Sequence, residues 1–334
     1  MAVKPLLAGA LAGLVLLASA CGSDDPDTSA TTAAPAASGS AAPGTSAPSS
    51  TGTPSSAAPL TTGASTTTAD DAGDDVPMRI ISLSPTHTET LFAIGAGPQV
   101  IAVDDQSSYP PEAAAVQTDL SGYQPNVEAI AGYEPDLVVT SGDDALTGQL
   151  EAIGLTVWAG GSATSFDEAY TQIEQLGAAT GHVAEAAELV GQLQTDLDEL
   201  ATSLPTSETP LTVFHELSPD GYSASSATFI GQIYELFGLR NIADAAEESS
   251  GYPQLNAETI IAADPDLIFL ADTKCCGESL DTVAARDGWD QIAAVRDGHV
   301  FAMDDDVASR WGPRFVEYAQ QVHDAVEQAL VPAG

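Results

Sequence analysis

A repeat with an offset of 130 residues is the feature that most constrains the fold of this chain. The segment PNVEAIAGYEPDLVVT, which begins at Pro125, aligns without a gap with LNAETIIAADPDLIFL, which begins at Leu255. Each copy predicts a short helix that is opened by an Asn N-cap and ends before a proline, followed by a buried strand. Two copies of one helix and strand unit indicate that the chain folds as two similar lobes.

The flanks of the repeat are similar too. RIISLS followed by ETLFAIGAG in the first half, and LTVFHEL followed by ATFIGQIYELFGL in the second, each predict a strand, a loop and a helix. Each half ends with a further helix and strand, QLEAIGLTVWAG and QIAAVRDGHVFAMD. Strands that alternate with helices of this length predict an α/β fold with two Rossmann-like lobes, parallel sheets and a ligand cleft between the lobes.

A segment without proline connects the two halves. HVAEAAELVGQLQTDLDELATSL carries apolar side chains at helical spacing, and its one glycine costs only about 1 kcal/mol relative to alanine. A helix of this length spans roughly 33 Å. We therefore expect one long rigid α-helix at 182–205 between an N-terminal lobe at 78–181 and a C-terminal lobe at 206–334, with only modest lobe closure.

The N-terminus has the parts of a bacterial export signal. Lys4 provides the positive region, an apolar run follows, and LASAC ends with small residues before Cys21. This order is typical of a lipoprotein signal peptide at 1–20, with Cys21 carrying a lipid such as palmitate; an ordinary secretory signal is the alternative. Residues 21–77 are almost wholly Ala, Ser, Thr, Pro and Gly, which predicts a disordered tether. We expect the protein at the cell membrane, lipid-anchored on the extracytoplasmic face.

The charge of the chain argues against nucleic acid as a partner. There are 48 acidic and 8 basic residues, a net charge of −40, whereas phosphate binding needs basic stripes. Beyond Met78, only Arg79 is a basic residue of the first half; the others all lie in the second half. Any anionic group on a ligand would therefore be met mainly by the C-terminal lobe.

Ligands of open parallel sheets bind beyond the carboxyl ends of the strands. The residues that follow the predicted strands are therefore the candidate ligand contacts: Thr86, His87, Tyr109 and Asp143 in the N-terminal lobe, and Tyr222, Lys274, Cys275, Cys276, Arg310 and Trp311 in the C-terminal lobe.

Two kinds of contact are expected among these candidates. The aromatic side chains offer flat apolar faces to a large planar or macrocyclic ligand, although each could instead pack under its own loop. Arg310 and Lys274 could meet acidic ligand groups, whereas Arg314 could pair internally.

The sequence resembles the substrate-binding lipoproteins of ABC importers, in the helical-backbone family of periplasmic binding proteins that serves cobalamin, ferric siderophores and heme. The resemblance extends from Arg79 to Leu330. It is carried by RIISLSPTHTETLFAIGAG, SSYPPEA, the two Asn-x-Glu and Pro-Asp-Leu blocks, and WGPR before the last helix. It implies a monomer without cofactor or catalysis that captures a small-molecule metal chelate and delivers it to an ABC permease with ATPase subunits.

The same resemblance ranks the ligands. YPPEA favours a corrinoid such as cobalamin, and Tyr109 and Tyr222 stand at positions similar to aromatic contacts in cobalamin-binding relatives. The tryptophans of those relatives do not carry over, since Ser141 stands where one would be expected. A ferric siderophore or heme therefore remains the alternative.

The resemblance also assigns a role to the two repeated glutamates. In that family one carboxylate at the tip of each lobe docks into arginine pockets of the permease, and Glu128 and Glu258 occupy those positions. A two-fold related permease would need two such equivalent charges. The alternative is that each glutamate only stabilises the N-terminus of its own helix.

Cys275 and Cys276 are adjacent in the sequence and follow the predicted strand LIFLA. Outside the cytoplasm cysteines readily form disulfides, so we expect a disulfide between them. Such a bond is strained, because adjacent Cα atoms lie about 3.8 Å apart and disulfides usually span about 4.4 to 6.8 Å. We expect it to stiffen the loop and present sulfur to the ligand; a purely structural turn or two reduced thiols are the alternatives.

Other functions have weaker support in the sequence. The five histidines are scattered, unlike the clusters that bind bare transition metals. No phosphate loop, Gly-x-Gly-x-x-Gly turn or nucleophile elbow follows a strand, so the sequence predicts a binding protein and not an enzyme. A tethered interaction or adhesion module without a small ligand is the remaining alternative.

Overall fold

Two parallel β-sheets of four strands each form the framework of the protein. The computed structural model describes residues 76–205, 209–246 and 251–330. The predicted signal peptide at 1–20, Cys21 and the predicted tether up to residue 75 lie outside the described residues. Within the described ranges, none of the helices combines the length and apolar character that a membrane span needs.

The strands of the two sheets follow one plan. The first sheet contains β1 (Ile80–Ser82), β2 (Val100–Val103), β3 (Leu137–Thr140) and β4 (Val157–Ala159). The second contains β5 (Thr212–Glu216), β6 (Arg240–Asn241), β7 (Leu267–Leu270) and β8 (Val300–Ala302). The strands lie in the order β2-β1-β3-β4 in the first sheet and β6-β5-β7-β8 in the second, so each strand of the second sheet has the place of the strand four numbers earlier in the first. The predicted pair of similar α/β lobes is thereby confirmed.

Helices cover both faces of these sheets. In the first half they are α1 (Pro85–Ala93), α2 (Pro111–Ala114), α3 (Val127–Ala131), α4 (Asp144–Ala152), α5 (Phe166–Thr180) and α6 (Val183–Ser203). In the second half they are α7 (Phe229–Leu236), α8 (Ala257–Ala263), α9 (Thr273–Cys276), α10 (Leu280–Ala284), α11 (Ala293–Asp297), α12 (Asp305–Ala308) and α13 (Phe315–Leu330). All side chains of the central strands β3 and β7 are buried, as expected for parallel strands covered on both faces.

The sequence repeat reappears in local detail. The side chain of Asn126 accepts a hydrogen bond from the start of α3 (3.1 Å to the amide of residue 129), and Asn256 does the same for α8 (2.8 Å to that of residue 259). Glu134 and Asp264, which precede the two prolines, both have positive φ, 50° and 47°. The predicted Asn N-caps are confirmed, and the two copies share an unusual backbone turn at the same place.

The helix α6 lies where the sequence predicts the connection between the lobes, and it buries Val190, Leu193 and Leu197. It packs against α5 on one side and α13 on the other. The rings of Phe166, Phe229 and Phe315 meet with centroids 5.3 to 5.7 Å apart, so one apolar cluster continues from the first sheet to the second. The lobes are thus joined by a shared core as well as by a helix.

Candidate functional site

A cavity of about 440 Å³ lies beyond the carboxyl ends of the first sheet. The N-terminal lobe lines it with Leu83, Ser84, Pro85, Thr86, Asp104, Gln106, Gly122, Tyr123, Ser141 and Ser162, and the C-terminal lobe with Asp306, Ser309, Arg310 and Trp311. Both lobes thus contribute polar groups at the edge where strand topology predicts a ligand. We assign the candidate binding cleft to this cavity.

A second cavity, of about 620 Å³, lies beside α1 and α2 and is lined by the N-terminal lobe alone. Tyr109 lines this second cavity and not the candidate cleft. Its ring lies under the guanidinium of Arg314, whose Cζ is 4.0 Å from the ring centroid. This larger cavity does not lie at the carboxyl ends of the strands, and no residue of the C-terminal lobe lines it. We therefore do not assign the ligand site to it, although it is larger.

A buried ion-pair network lies beside the cleft, and its members Asp306 and Arg310 line the cavity. Glu89, whose side chain is 2% exposed, accepts hydrogen bonds from Arg310 (Nη1 to Oε1, 2.8 Å) and from Arg314 (Nη2 to Oε1, 2.6 Å; Nε to Oε2, 2.8 Å). Arg310 also donates to Asp306, with Nη2 2.7 Å from Oδ1. The network connects α1 of the N-terminal lobe to the segment before α13 of the C-terminal lobe.

Lys274 is held in the same manner, by carboxylates of its own lobe. Its Nζ lies 2.5 Å from Oδ1 of Asp304 and 2.8 Å from Oδ2 of Asp306. Lys274 and Arg310 therefore share Asp306. A ligand contact by either cation stays a prediction. The sequence led us to expect an acidic ligand group beside each cation, whereas in the structure carboxylates of the protein occupy these places.

His87 is buried behind the cleft. Its Nε2 lies 3.0 Å from Oε1 of Gln172, and the same oxygen accepts from the indole Nε1 of Trp311 at 2.9 Å. Since that oxygen can only accept, the imidazole donates from Nε2, and its Nδ1 has no hydrogen-bond partner among the described residues. Burial lowers the pKa of His87 to about 4, so the ring is neutral at physiological pH.

The ring of His87 packs against that of Trp158, with centroids 4.8 Å apart, and Gln172 connects His87 to Trp311. Trp311 lines the cavity, whereas His87, Trp158 and Gln172 do not. Across the described ranges, no group of three or more His, Cys, Asp or Glu side chains could hold a metal ion.

Two other predicted contacts serve local structure. Asp143 is the N-cap of α4, where its Oδ1 accepts from the amides of Ala145 (2.8 Å) and Leu146 (2.9 Å). Tyr222 is 46% exposed and pairs through its backbone with Gln254, outside the lining of the cleft. Their contact with a ligand stays a prediction.

The adjacent cysteines lie on α9, at the rim of the C-terminal lobe. Their Sγ atoms are at bonding distance, both residues are exposed, and neither lines the cleft cavity. The turn is fixed from outside, because Asp305 accepts from the amides of Thr273 (3.0 Å) and Lys274 (2.9 Å). Formation of the disulfide in the protein stays a prediction.

A buried carboxylate group next to the cysteines was not predicted. Arg286 holds Glu216 through two hydrogen bonds of 2.6 Å and Glu278 through one of 2.7 Å. Asp272 is fully buried beside them, with no hydrogen-bond partner for either carboxylate oxygen among the described residues. Burial, together with the charges of Glu216 and Glu278, raises the pKa of Asp272 to about 7.

The most exposed aromatic residue of the cleft was also missed. Tyr123 lines the cavity and is 85% exposed, so its ring is free to cover a ligand. It belongs to the loop before α3, well beyond the end of β2. The search for residues that directly follow predicted strands, which we call the strand-end rule, therefore did not select it. Gly122 beside it is required by close packing, because a Cβ there would lie 2.8 Å from the carbonyl oxygen of Leu83.

The family follows from comparison with known proteins. The family model described as "Periplasmic binding protein" matches residues 80–307, which include both sheets and the cleft lining up to Asp306. The chain belongs to this family.

Proteins with related sequences and structures come from several organisms. One is the "Uncharacterized ABC transporter substrate-binding lipoprotein YvrC" of Bacillus subtilis, 32% identical, with 78% of this chain and 85% of that protein covered. Another is a "Cobalamin-binding protein" of Halobacterium salinarum, 30% identical, with coverages of 77% and 72%. A solved structure of a possible iron-binding (periplasmic solute-binding) protein from Staphylococcus epidermidis is 27% identical, with a TM-score of 0.66 and coverages of 75% and 98%.

The two repeated glutamates of this periplasmic binding protein occupy equivalent places in the lobes. Glu128 and Glu258 are each the second residue of their helix, and both are exposed. The cap is provided by the preceding asparagines, and neither glutamate carboxylate makes a hydrogen bond or ion pair with another residue in the described ranges. The two carboxylates are therefore available to a partner.

Proposed function

We propose that this protein is the extracytoplasmic substrate-binding protein of an ABC importer and that it captures a metal chelate, with a corrinoid as the first candidate. The observation that carries the proposal is the cavity between the strand ends of the N-terminal lobe and the segment Asp306 to Trp311. The name of the Halobacterium relative, a cobalamin-binding protein, supports a corrinoid. The mechanism is binding and delivery; ATP hydrolysis belongs to the partner subunits.

A ferric chelate is the second candidate, in the same role. It is favoured by the likeness to the Staphylococcus structure, which is described as possibly iron-binding. Titration of the purified protein with cyanocobalamin, heme and ferric hydroxamates, followed by equilibrium dialysis and absorbance of the chelate, separates these candidates. Saturable binding of one class supports the proposal; no binding of any of them contradicts it and leaves the adhesion module as the alternative.

Docking to the permease is proposed for Glu128 and Glu258. Their exposure, their lack of a partner within the described residues and their equivalent places in two similar lobes support this role. Guanidinium groups on a permease would recognise such carboxylates. The test is chelate uptake by cells that carry Glu128→Ala together with Glu258→Ala: uptake should be lost while binding by the purified protein is kept. Normal uptake would show that the glutamates only stabilise their helices.

Anchoring through Cys21 is proposed as well. The order of charged, apolar and small residues before Cys21 supports it, as does the word lipoprotein in the name of the Bacillus relative. Incorporation of a labelled fatty acid should be seen with the natural sequence and be absent from Cys21→Ser. Release of an unlabelled natural protein into the medium would instead indicate an ordinary secretory signal.

A further inference from the structure

Arg310, the cation that lines the cleft, and the two cations linked to it through shared carboxylates are already neutralised by the protein. Arg310 and Arg314 share the buried carboxylate of Glu89, and Lys274 lies between Asp304 and Asp306. Asp305 is the fourth carboxylate of this group and faces the backbone amides of α9. Three cations thus stand against four carboxylates, and the group carries a formal charge of about −1 at neutral pH.

The remaining cations of the described chain lie elsewhere. Arg286 is bound to Glu216 and Glu278. Arg79 precedes β1, Arg240 begins β6, and Arg296 lies in α11 before β8. Since these three are at the amino ends of parallel strands, they are on the opposite side of the sheets from the cleft.

The rest of the cleft lining is uncharged or acidic. Hydroxyl and amide groups come from Ser, Thr, Tyr and Gln side chains, and the carboxylates of Asp104 and Asp306 also line the cavity. Such groups hydrogen-bond well to amides and hydroxyls of a ligand. An incoming carboxylate would meet no unpaired cation and at least one negative charge, and burying it without a partner is costly.

We propose that the cleft selects chelates that are uncharged or cationic and that carry amide or hydroxyl groups at the periphery, and that it rejects chelates bearing carboxylates. This selection rests on the proposed function and names the charge class of its ligand. It disfavours heme with free propionates and ferric catecholates, and it favours fully amidated corrinoids and ferric hydroxamates.

Pairs of chelates in which one member bears a carboxylate and the other an uncharged group in its place test the selection. The probes are cyanocobalamin against its singly hydrolysed carboxylate, N-acetylferrioxamine B against N-succinylferrioxamine B, and heme diamide against heme. In the pair that binds, the member with the carboxylate should bind at least about 10-fold more weakly, the effect of one unit charge at about 7 Å in an intermediate dielectric. Equal affinity within that pair overturns the selection but leaves the proposed function standing. If no probe binds, both are overturned.

A variant that removes one cleft charge provides the second measurement. Asp306→Asn leaves Arg310 with Glu89 and Lys274 with Asp304, so the fold should be kept. We expect it to improve binding of the carboxylate-bearing probe about 5-fold relative to its uncharged counterpart. The control is Glu188→Gln on the exposed face of α6, which removes the same charge far from the cleft. An equal change in both variants, or no change in Asp306→Asn, would overturn the proposal.

Discussion

Glu89 and Arg310 are 221 residues apart in the chain, yet Oε1 and Nη1 of the two side chains lie 2.8 Å apart in a buried ion pair between the lobes. The pair extends to Arg314, whose guanidinium lies on the ring of Tyr109. Side chains from both halves of the sequence are therefore held together at the cleft by one carboxylate.

Replacement of this carboxylate should destabilise the protein. Glu89→Gln keeps the shape but leaves two largely buried guanidiniums with weaker partners, and breaking a buried pair costs about 3 to 5 kcal/mol. We expect a loss of about 3 kcal/mol in the free energy of unfolding, measured by urea denaturation. Glu188→Gln should change it by less than about 0.5 kcal/mol. A similar effect of both variants would show that the ion pair does not hold the lobes.

Tyr123 and Tyr222 distinguish the cleft seen in the structure from the ligand contacts expected from the sequence alone. Tyr123→Ala should weaken chelate binding about 10-fold without affecting stability, because its ring lines the cavity and packs against little else. Tyr222→Ala should leave binding nearly unchanged, because Tyr222 lies outside the lining. Titration of both variants decides the matter: a larger effect at Tyr222 would move the site toward the C-terminal lobe.

Asp272 makes stability depend on pH in a defined direction. Burial and the nearby carboxylates raise its pKa to about 7, so the protonated form is the one that folding favours. This stabilisation is fully present below about pH 4 and is lost as the pH rises through about 7. Asp272→Asn should therefore raise the free energy of unfolding by about 1 to 3 kcal/mol at pH 8.5 and much less at pH 5.

The control for this change is Asp220→Asn, which alters an exposed carboxylate of the same lobe. An Asp272→Asn effect that is the same at both pH values would show that the carboxyl titrates normally.

Cys275 and Cys276 should contain no free thiol when the protein is isolated without reductant. In protein whose Cys21 is blocked by its lipid, alkylation should add no label in intact-mass spectrometry, and two labels should appear after reduction. The double replacement Cys275→Ser and Cys276→Ser should change stability little, since Asp305 holds the amides of the turn independently. Two labels before reduction would rule out the disulfide.

Lobe closure on ligand binding should be small. The shared apolar cluster around Phe315 and the helix α6 both resist rotation of one lobe against the other. Small-angle scattering of the folded lobes with and without ligand should show nearly the same radius of gyration. A clear compaction would mean that the phenylalanine contacts rearrange.

Much of the fold could be predicted because the sequence pattern of one lobe is repeated in the other. The offset repeat locates β3 and β7, the Asn N-caps and the prolines in both lobes, and the flanks locate β1 and β5. The strand β6 was not predicted, since its two residues are too few to show a periodicity. The phenylalanine contacts between the lobes could not be predicted either, because they join segments that no local pattern relates.

The candidate site was harder to predict than the fold. The strand-end rule placed Thr86, Arg310 and Trp311 at the cavity but also selected His87, which the fold turns inward. The sequence shows that a residue is a cation but not which carboxylate lies beside it. The pairing of Lys274 with Asp304 and of Arg310 with Glu89 depends on tertiary structure.

The ion pair between Glu89 and Arg310 couples two properties of a binding protein, the position of the lobes and the charge at the cleft. Pulling the lobes apart would separate both arginines from Glu89 and leave three cations against the three remaining carboxylates, so the formal charge of the group would rise from about −1 to about 0. A variant of this protein that binds an anionic ligand would therefore have to replace the contact that fixes the lobe geometry. In this protein, one contact fixes both the lobe geometry and the charge at the cleft.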